Sequence, residues 1–549
     1  MKKKFAYFSA EIGLNNQMKT FSGGLGILAG DTIKAMADLR VPLCAVTLLY
    51  KKGFFKQEIE NNYQKESEDT WDFQKILTDI NKQVCVNING EDIKVKIWRY
   101  EQKGCDGYTI PIYYLDTDLN ENPDWAQCIT NKLYQGNRLY QEIVLGIGGV
   151  RALREIGEDK IEKFHMNEGH SSFLTLELYR EHGQKTNDWD EHCVREKCIF
   201  TTHTPIPAGH DKFEYNEIYN SIQESTHLIP HQLKKLAGFD MLNTTKLAMS
   251  FSNHINAVSK KHGEITKQMF PEYQIHSITN GIHTETWAHK SIQKLFDKYI
   301  HGWRKDNTNL KKVFQIPDNE LLQAHKEAKN EMIEFVNQKN ITGAKLKEDV
   351  LTIGFARRFV KYKQADLIFE NIEQLIKLKG KVQFIFSGKS HINDGLGKGI
   401  MQRVIEKSKQ LNGKIEIAFL ENYDIDIAKK LISGCDLWLN TPTLPNEASG
   451  TSGMKAVVNG CLHFSKLDGW AIESYQMNGG GFPITNKDDF FNTLEYKIIP
   501  KFYCNYSNQW VGEMKLAIGN SGSYFNTHRM VKEYIELAYK CKYEDIREN

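Results

Sequence analysis

Short apolar runs recur along this chain. Most are followed by a polar or glycine-rich turn, then by apolar residues at helical spacing. Phe5-Ala6-Tyr7-Phe8-Ser9 is the first run and reads as a buried strand. The turn Ser22-Gly23-Gly24-Leu25-Gly26 follows, and Leu25, Leu28, Ala29, Ala35, Met36 and Leu39 then mark one face of a helix. Residues 41–50 form a second strand. Residues 56–128 read as an insertion, in which 92–98 and 110–115 suggest antiparallel strands or hairpins. A helix is expected near 130–157. Strands at 163–166, 198–200 and 255–259 each run into a polar turn.

The pattern repeats in the second half. Residues 300–348 are charged and helical, a passage between two domains. A buried strand at 349–356 opens a new series: strand 382–386, helix near 397–411, strand 415–420, helix 425–434, and strands 436–439 and 461–464. The expectation is an α/β protein with two Rossmann-like domains facing a cleft. The N-terminal domain would span 1–340, with its β insertion near 56–128, and the second 341–505. Residues 506–549 would add helices that can cross back to the first domain. Open α/β sheets bind ligands just past the carboxyl ends of their strands, so the turns there are the places to search.

Composition narrows the classes. At 549 residues the chain exceeds one core. A formal net charge of +2 gives no field that would favour nucleic acid or an anionic membrane. No apolar run is long enough for a membrane helix. Aromatic residues at 11% suit ring-stacking ligands such as carbohydrates, and suit large cores equally. The ten cysteines contain no C-x-x-C, and His192-Cys193, Cys198 and His203 match no zinc spacing, so no metal site is expected. Cys44 and Cys198 sit in apolar runs and read as buried thiols of a reducing cytosol. Glu11 interrupts any apolar stretch after Met1-Lys2-Lys3-Lys4, so no signal peptide is expected and the protein reads as cytoplasmic.

Candidate chemistry concentrates in a few turns. In Asn446-Glu447-Ala448-Ser449-Gly450-Thr451-Ser452-Gly453-Met454-Lys455, five small residues feed an apolar, helix-compatible run. Such a loop can present N–H groups to a phosphate, with the Lys455 amine beside it and Glu447 just before. Taken alone it reads equally as a Gly/Ser turn with a solvated lysine. Arg357, Arg358, Lys361 and Lys363 follow the strand at 349–356. Four crowded cations are costly unless an anion joins them, though a solvated basic loop is the other reading. His203, between a strand and Pro205, can donate to a sugar hydroxyl or leaving oxygen, or serve structure alone. His165 and His170 flank Asn167-Glu168 without a third spaced ligand and read as hydrogen-bonding supports. Asp424 and Asp426 read as helix caps.

These residues resemble a known family. Glu447-Ala448-Ser449-Gly450-Thr451-x-x-Met454-Lys455 is similar to the cofactor-lysine motif of the α-glucan (glycogen/maltodextrin) phosphorylases. Gly23-Gly24-Leu25-Gly26, Thr279-Asn280-Gly281-Ile282, Arg357-Arg358-x-x-x-Tyr362-Lys363, Phe419-Leu420-Glu421-Asn422-Tyr423 and Leu467-Asp468-Gly469 resemble further family segments in the same order. Ser452-Gly453, where the family commonly has Gly-Asn, together with Trp470, resembles a short microbial branch.

The resemblance implies a glycosyltransferase-B fold and pyridoxal 5′-phosphate as cofactor. Lys455 would hold its aldehyde as a Schiff base, with Thr451, Ser452 and Arg357 at its phosphate and Gly24 also among the cofactor-binding residues. Arg358 and Lys363 would bind substrate phosphate, with the Gly24 N–H opposite. His203, Asn280 and Glu447 would bind the transferred glucose, and His170 would lie beside the acceptor side. The implied partners are an α-glucan or maltooligosaccharide, inorganic phosphate and glucose 1-phosphate. The implied reaction is reversible, retaining phosphorolysis, with the cofactor phosphate exchanging a proton with substrate phosphate. The family tends to form homodimers. The alternatives are a nucleotide-sugar glycosyltransferase of the same fold and a non-catalytic glucan-binding protein.

Overall fold

The computed structural model describes residues 3–182, 191–222, 230–486, 489–503 and 507–547. Cys504 and the expected boundary at 505/506 lie outside the described residues. The chain divides into two compact units. Unit 1 comprises Met1–Phe54, Glu68–Thr279 and Met530–Asn549; unit 2 comprises Phe55–Ser67 and Asn280–Arg529.

Unit 1 is built on a nine-stranded sheet. Its order is Ile275–Ser277, His254–Ala257, Cys198–Thr202, Lys163–Asn167, Phe5–Ser9, Leu43–Leu48, Thr109–Asp116, Glu91–Lys103, Thr78–Ile88. The first seven run parallel and the last two pair antiparallel, as the alternating segments suggest. The first strand buries both faces, which is why it reads as a continuous apolar run. Ala6 and Phe8 enter one core cluster, and Phe5 and Tyr7 the other. Met530, Val531, Tyr534 and Tyr539 complete the second cluster, Tyr539 stacking on Phe5 at 4.6 Å.

Unit 2 carries six parallel strands in the order Ile417–Leu420, Val382–Ser387, Leu351–Ala356, Leu437–Asn440, Leu462–Lys466, Phe482–Ile484. The short edge strand at 482 escapes the pattern because three residues carry no periodicity. Two segments assigned to the first domain by sequence pack in unit 2: the hairpin at 56–67 and residues 280–340. The helix Asp318–Lys339 belongs there because it packs against the helix Ile425–Gly434 through side chains such as Met332, against which Gly434 lies. Among the described residues, no helix is long and apolar enough to cross a membrane.

That helix also brings a charge into the core. Lys329 Nζ lies 2.6 Å from Asp436 Oδ2, His325 Nε2 lies 3.2 Å from Oδ1, and the Thr352 N–H donates to the same carboxylate at 2.7 Å. Burial alone would raise Asp436, but Lys329 and His325 outweigh it and hold the carboxyl below its usual range. Asp436→Ala strands a buried ammonium, and urea denaturation is expected to show unit 2 destabilised by roughly 3–5 kcal/mol. Because the folded-state pKa is depressed, the native carboxylate's contribution is present above its unfolded pKa and is lost as pH falls through the folded one.

Candidate active site

In unit 2 the cationic turn and the small-residue loop meet over a single carboxylate. Strand Leu351–Ala356 ends at Arg357 and Arg358, and the turn Lys361–Lys363 follows. The neighbouring strand Leu437–Asn440 runs on toward the 446–455 loop. Lys363 Nζ pairs with Glu447 Oε2, and Arg357 Nη1 stands 3.5 Å from the same oxygen. Arg357 also donates to Asn440 Oδ1, whose amide in turn donates to Ser465 Oγ at 2.9 Å. Arg358 stays exposed. Asp468 fixes the carboxylate's backbone: Oδ2 accepts from the Glu447 N–H at 2.9 Å, and Oδ1 from the Gly469 N–H at 2.9 Å.

Crowding shifts these groups. Burial raises Glu447, but Lys363 and Arg357 outweigh it and keep the carboxyl below its usual range. Burial, then Arg357, pushes the Lys363 ammonium down to about 7 against the pull of Glu447. Burial lifts Asp468 to about 6, opposed by the N–H groups it binds. Two cations share one carboxylate here, and a third lies next to them in the chain.

Lys455 sits in the helix Ser452–Val457, buried, with Nζ 4.0 Å from the centroid of the Trp287 ring. Asn459 ties the two together, donating to the carbonyls of Lys455 at 2.9 Å and Trp287 at 3.0 Å. The helix start is close-packed: a Cβ on Gly453 would come within 2.6 Å of His463 Nε2. His463 stacks on Trp470 at 4.8 Å. Asn280 is buried and donates to the Ser449 carbonyl at 3.3 Å. On the loop, the cationic turn and the residues packed on them, Ser449 Oγ, Arg357 Nε, Asn280 Oδ1 and His463 Nδ1 are buried without a hydrogen-bond partner. Buried polar atoms are ordinarily satisfied, so this donor and acceptor set fits a polar, anionic ligand. The first-turn N–H groups of the helix, from Ser452 on, add to that set.

Unit 1 holds the other predicted residues. Gly24 begins the helix Gly24–Asp38, and a Cβ there would meet nothing within 4 Å, so its backbone is open on that side. Glu11 shapes the turn, accepting from the Ser22 N–H at 2.7 Å, the Gly23 N–H at 3.3 Å and the Tyr134 hydroxyl at 2.6 Å. Glu168 sits at φ +74°, a region that disfavours any side chain. Its carboxylate accepts from the N–H groups of Gly169 at 3.0 Å and His203 at 2.7 Å, and from Thr204 Oγ1 at 3.0 Å.

His203 differs from its expected role. Asn167 Nδ2 donates to Ser9 Oγ at 3.0 Å, which turns Oδ1 toward His203 Nε2 at 2.7 Å. Burial pushes the imidazole down to about 3, so it is neutral near pH 7. With Oδ1 facing it, Nε2 carries the ring proton, which leaves Nδ1 an acceptor rather than a donor. His170 Nε2 stands 3.4 Å from Asp211 Oδ2, and burial, then Arg138, pushes its ring down to about 3. Glu142, His170 and Asp211 cluster closely enough to suggest ion binding. Arg138 already provides the positive charge there, 3.2 Å from Glu142 Oε1 and 3.4 Å from Asp211 Oδ2. His165 lies apart in the core, bonded to Tyr539 and Thr201. Asp424 caps the helix Ile425–Gly434, whereas Asp426 stands inside its first turn.

The structure thus joins Arg357, Lys363 and Glu447, and Asn280 with Ser449. Sequence reasoning assigned no role to Trp287, Asn440, Glu11 or Arg138, and none to Asp468 beyond its motif. Asp468-Gly469 within a strand-to-helix turn is a detectable signal; the others have no local one.

A family model described as carbohydrate phosphorylase matches residues 12–105 and 151–481. The chain is 37% identical to the maltodextrin phosphorylase of Thermococcus litoralis, over 97% of this chain and 70% of the relative. It is 33% identical to the glycogen phosphorylase of Aquifex aeolicus, over 98% and 86% of the two chains. It is also 33% identical to that of Mycobacterium tuberculosis, over 99% and 71%.

Proposed function

The chain belongs to the carbohydrate phosphorylase family, and from that premise we propose that it catalyses reversible, retaining phosphorolysis of an α-1,4-glucan or maltooligosaccharide to glucose 1-phosphate. The observation that carries this reading is the buried group in unit 2, where Lys363 and Arg357 converge on Glu447 at the start of the loop whose following helix buries Lys455. Pyridoxal 5′-phosphate fits that group by its chemistry. Lys455 would hold its aldehyde, and Arg357 with the N–H groups of Thr451 and Ser452 would hold its phosphate. When bound, the cofactor supplies a phosphate that exchanges a proton with substrate phosphate.

The chain's own residues do the rest. Arg358 and Lys363 bind the incoming phosphate as cations, and without them its approach to a second phosphate would be prohibitively repulsive. Glu447, held ionised by its neighbours, accepts from a sugar hydroxyl once the anion draws Lys363 away. Asn280 offers both a donor and an acceptor to the same sugar. Within unit 1, Gly24, His170 and His203 carry the substrate-side roles of their family motifs, His203 through its Nδ1 lone pair. Cys44, Cys198, Cys435 and Cys461 are buried, unbridged thiols, which supports a reducing, cytoplasmic setting.

The test is direct. Purified protein given maltooligosaccharide and inorganic phosphate is expected to form glucose 1-phosphate, and to form none when phosphate is withheld. Turnover of UDP- or ADP-glucose by protein lacking pyridoxal phosphate would replace this reading with a nucleotide-sugar transferase.

A further inference from the structure

The hairpin Lys56–Glu60 and Tyr63–Ser67 packs in unit 2, although both flanking segments belong to unit 1. Its turn, Asn61-Asn62, has φ of +50° and +69°, the left-handed pair that closes a tight two-residue hairpin. Its inward face is unusual. The two residues it buries most deeply are glutamines, Gln57 at 1% and Gln64 at 7% exposure, where a packed strand would bury aliphatic side chains. Buried amides are costly unless every group is paired. These are paired, mostly with one strap of backbone, and also with Asn422 and with Glu66 Oε1 at 2.7 Å.

Gln57 Nε2 donates to the Gly388 carbonyl at 3.0 Å and to Gln64 Oε1 at 2.8 Å. Gln64 Nε2 donates to the Ser390 carbonyl at 2.9 Å, and its Oε1 accepts the Ser390 N–H at 2.9 Å. The opposite face of the strap holds the start of the cationic turn. The Arg357 N–H donates to the Ser387 carbonyl at 3.1 Å, the Phe359 N–H to the Lys389 carbonyl at 3.0 Å, and Ser390 Oγ to the Phe359 carbonyl at 3.2 Å. A Cβ on Gly388 would stand 2.0 Å from the Arg357 carbonyl oxygen, so nothing separates strap from turn. Gln57 also exchanges two hydrogen bonds with Asn422, at 3.1 and 2.7 Å.

We infer that Gln57 and Gln64 are positioning residues for anion binding: through residues 387–390 they set the backbone of Arg357–Phe359, and with it the reach of Arg357 and Arg358. Neither glutamine touches a guanidinium. The inference rests on the reading of Arg358 and Lys363 as binders of substrate phosphate. Pairing amides rather than apolar side chains gives the hairpin a direction as well as an area. Each hydrogen bond specifies where a strap atom must lie, which apolar packing does not.

Gln64→Glu tests this. It keeps the shape but sets a carboxylate oxygen against the Ser390 carbonyl and against Glu66 Oε1. Inorganic phosphate binding is measured by titration calorimetry on the cofactor-loaded protein, beside the KM for phosphate and for maltooligosaccharide. The expected result is a phosphate Kd and KM raised at least tenfold, with sugar KM, kcat and cofactor absorbance within twofold. Lys398→Ala, which removes the hairpin's more exposed contact with Glu66, is expected to change none of them. A phosphate Kd within twofold of wild type overturns the inference, as does an equal loss for sugar and phosphate. If Gln64→Glu fails to fold, Ser390→Ala is judged by the same limits. Arg358→Ala separates the two readings: if it leaves phosphate binding intact, the assignment of the cationic turn fails instead.

Discussion

A Lys455→Ala protein is expected to lose glucose 1-phosphate formation on the order of a thousandfold or more, the scale of a lost proton-transfer group. It is also expected to lose the near-ultraviolet absorbance of a bound pyridoxal. The amine lies buried over Trp287, and Asn459 braces both backbones, so the side chain is held where it is rather than sampling solvent. Alanine keeps the helix Ser452–Val457, being the best helix former, and removes a buried cation, so the fold is expected to survive with little change in melting temperature. Loss of activity is then attributable to the anchor. Because the proposed work is done by a phosphate rather than by the amine, added pyridoxal phosphate is expected to restore part of the activity. Borohydride treatment of the wild type, followed by peptide mapping, should place the label on Lys455. A variant that keeps both the absorbance and wild-type turnover would remove pyridoxal phosphate from the proposal.

Anion binding is expected to weaken as pH rises through about 7, the pKa to which burial and Arg357 push Lys363. The sign follows from the free protein. Below that pH Lys363 is an ammonium and can share a dianion; above it the amine is neutral and the guanidinium groups must act alone. Affinity should fall by up to about tenfold per pH unit on the alkaline side while the bound anion keeps the lysine protonated. Sulfate as a competitive inhibitor is the suitable probe, since its charge is constant across this range. Lys363→Arg should flatten the profile, because a guanidinium does not titrate there. A sulfate profile that is flat in wild type, or unchanged in Lys363→Arg, would show that another group governs binding. The same depression has a stability sign: between pH 7 and the ordinary lysine pKa the unfolded chain binds more protons, so the Lys363 contribution rises with pH in that window.

Apolar patterning along the sequence determined the α/β class and most strands of both sheets. Buried parallel strands must be apolar on both faces, and that constraint is written locally, as in Phe5–Ser9 and Leu351–Ala356. The loop 446–455 and the turn 357–363 were legible as candidates, since small residues and clustered cations at strand ends can receive an anion, though each taken alone read equally as a solvated turn. The family motifs added the pyridoxal reading. Tertiary structure alone decided how these pieces meet. Lys363 and Glu447 are 84 positions apart, and Gln57 and the Gly388 carbonyl 331. No spacing rule links such residues, because their approach depends on strand order and on the packing of segments that sequence assigns elsewhere. The hairpin 56–67 reads as part of one insertion and packs with unit 2 because its buried amides find their partners there. His203 reads as a donor or a structural histidine, and only the orientation of Asn167, fixed by Ser9, leaves its Nδ1 an acceptor.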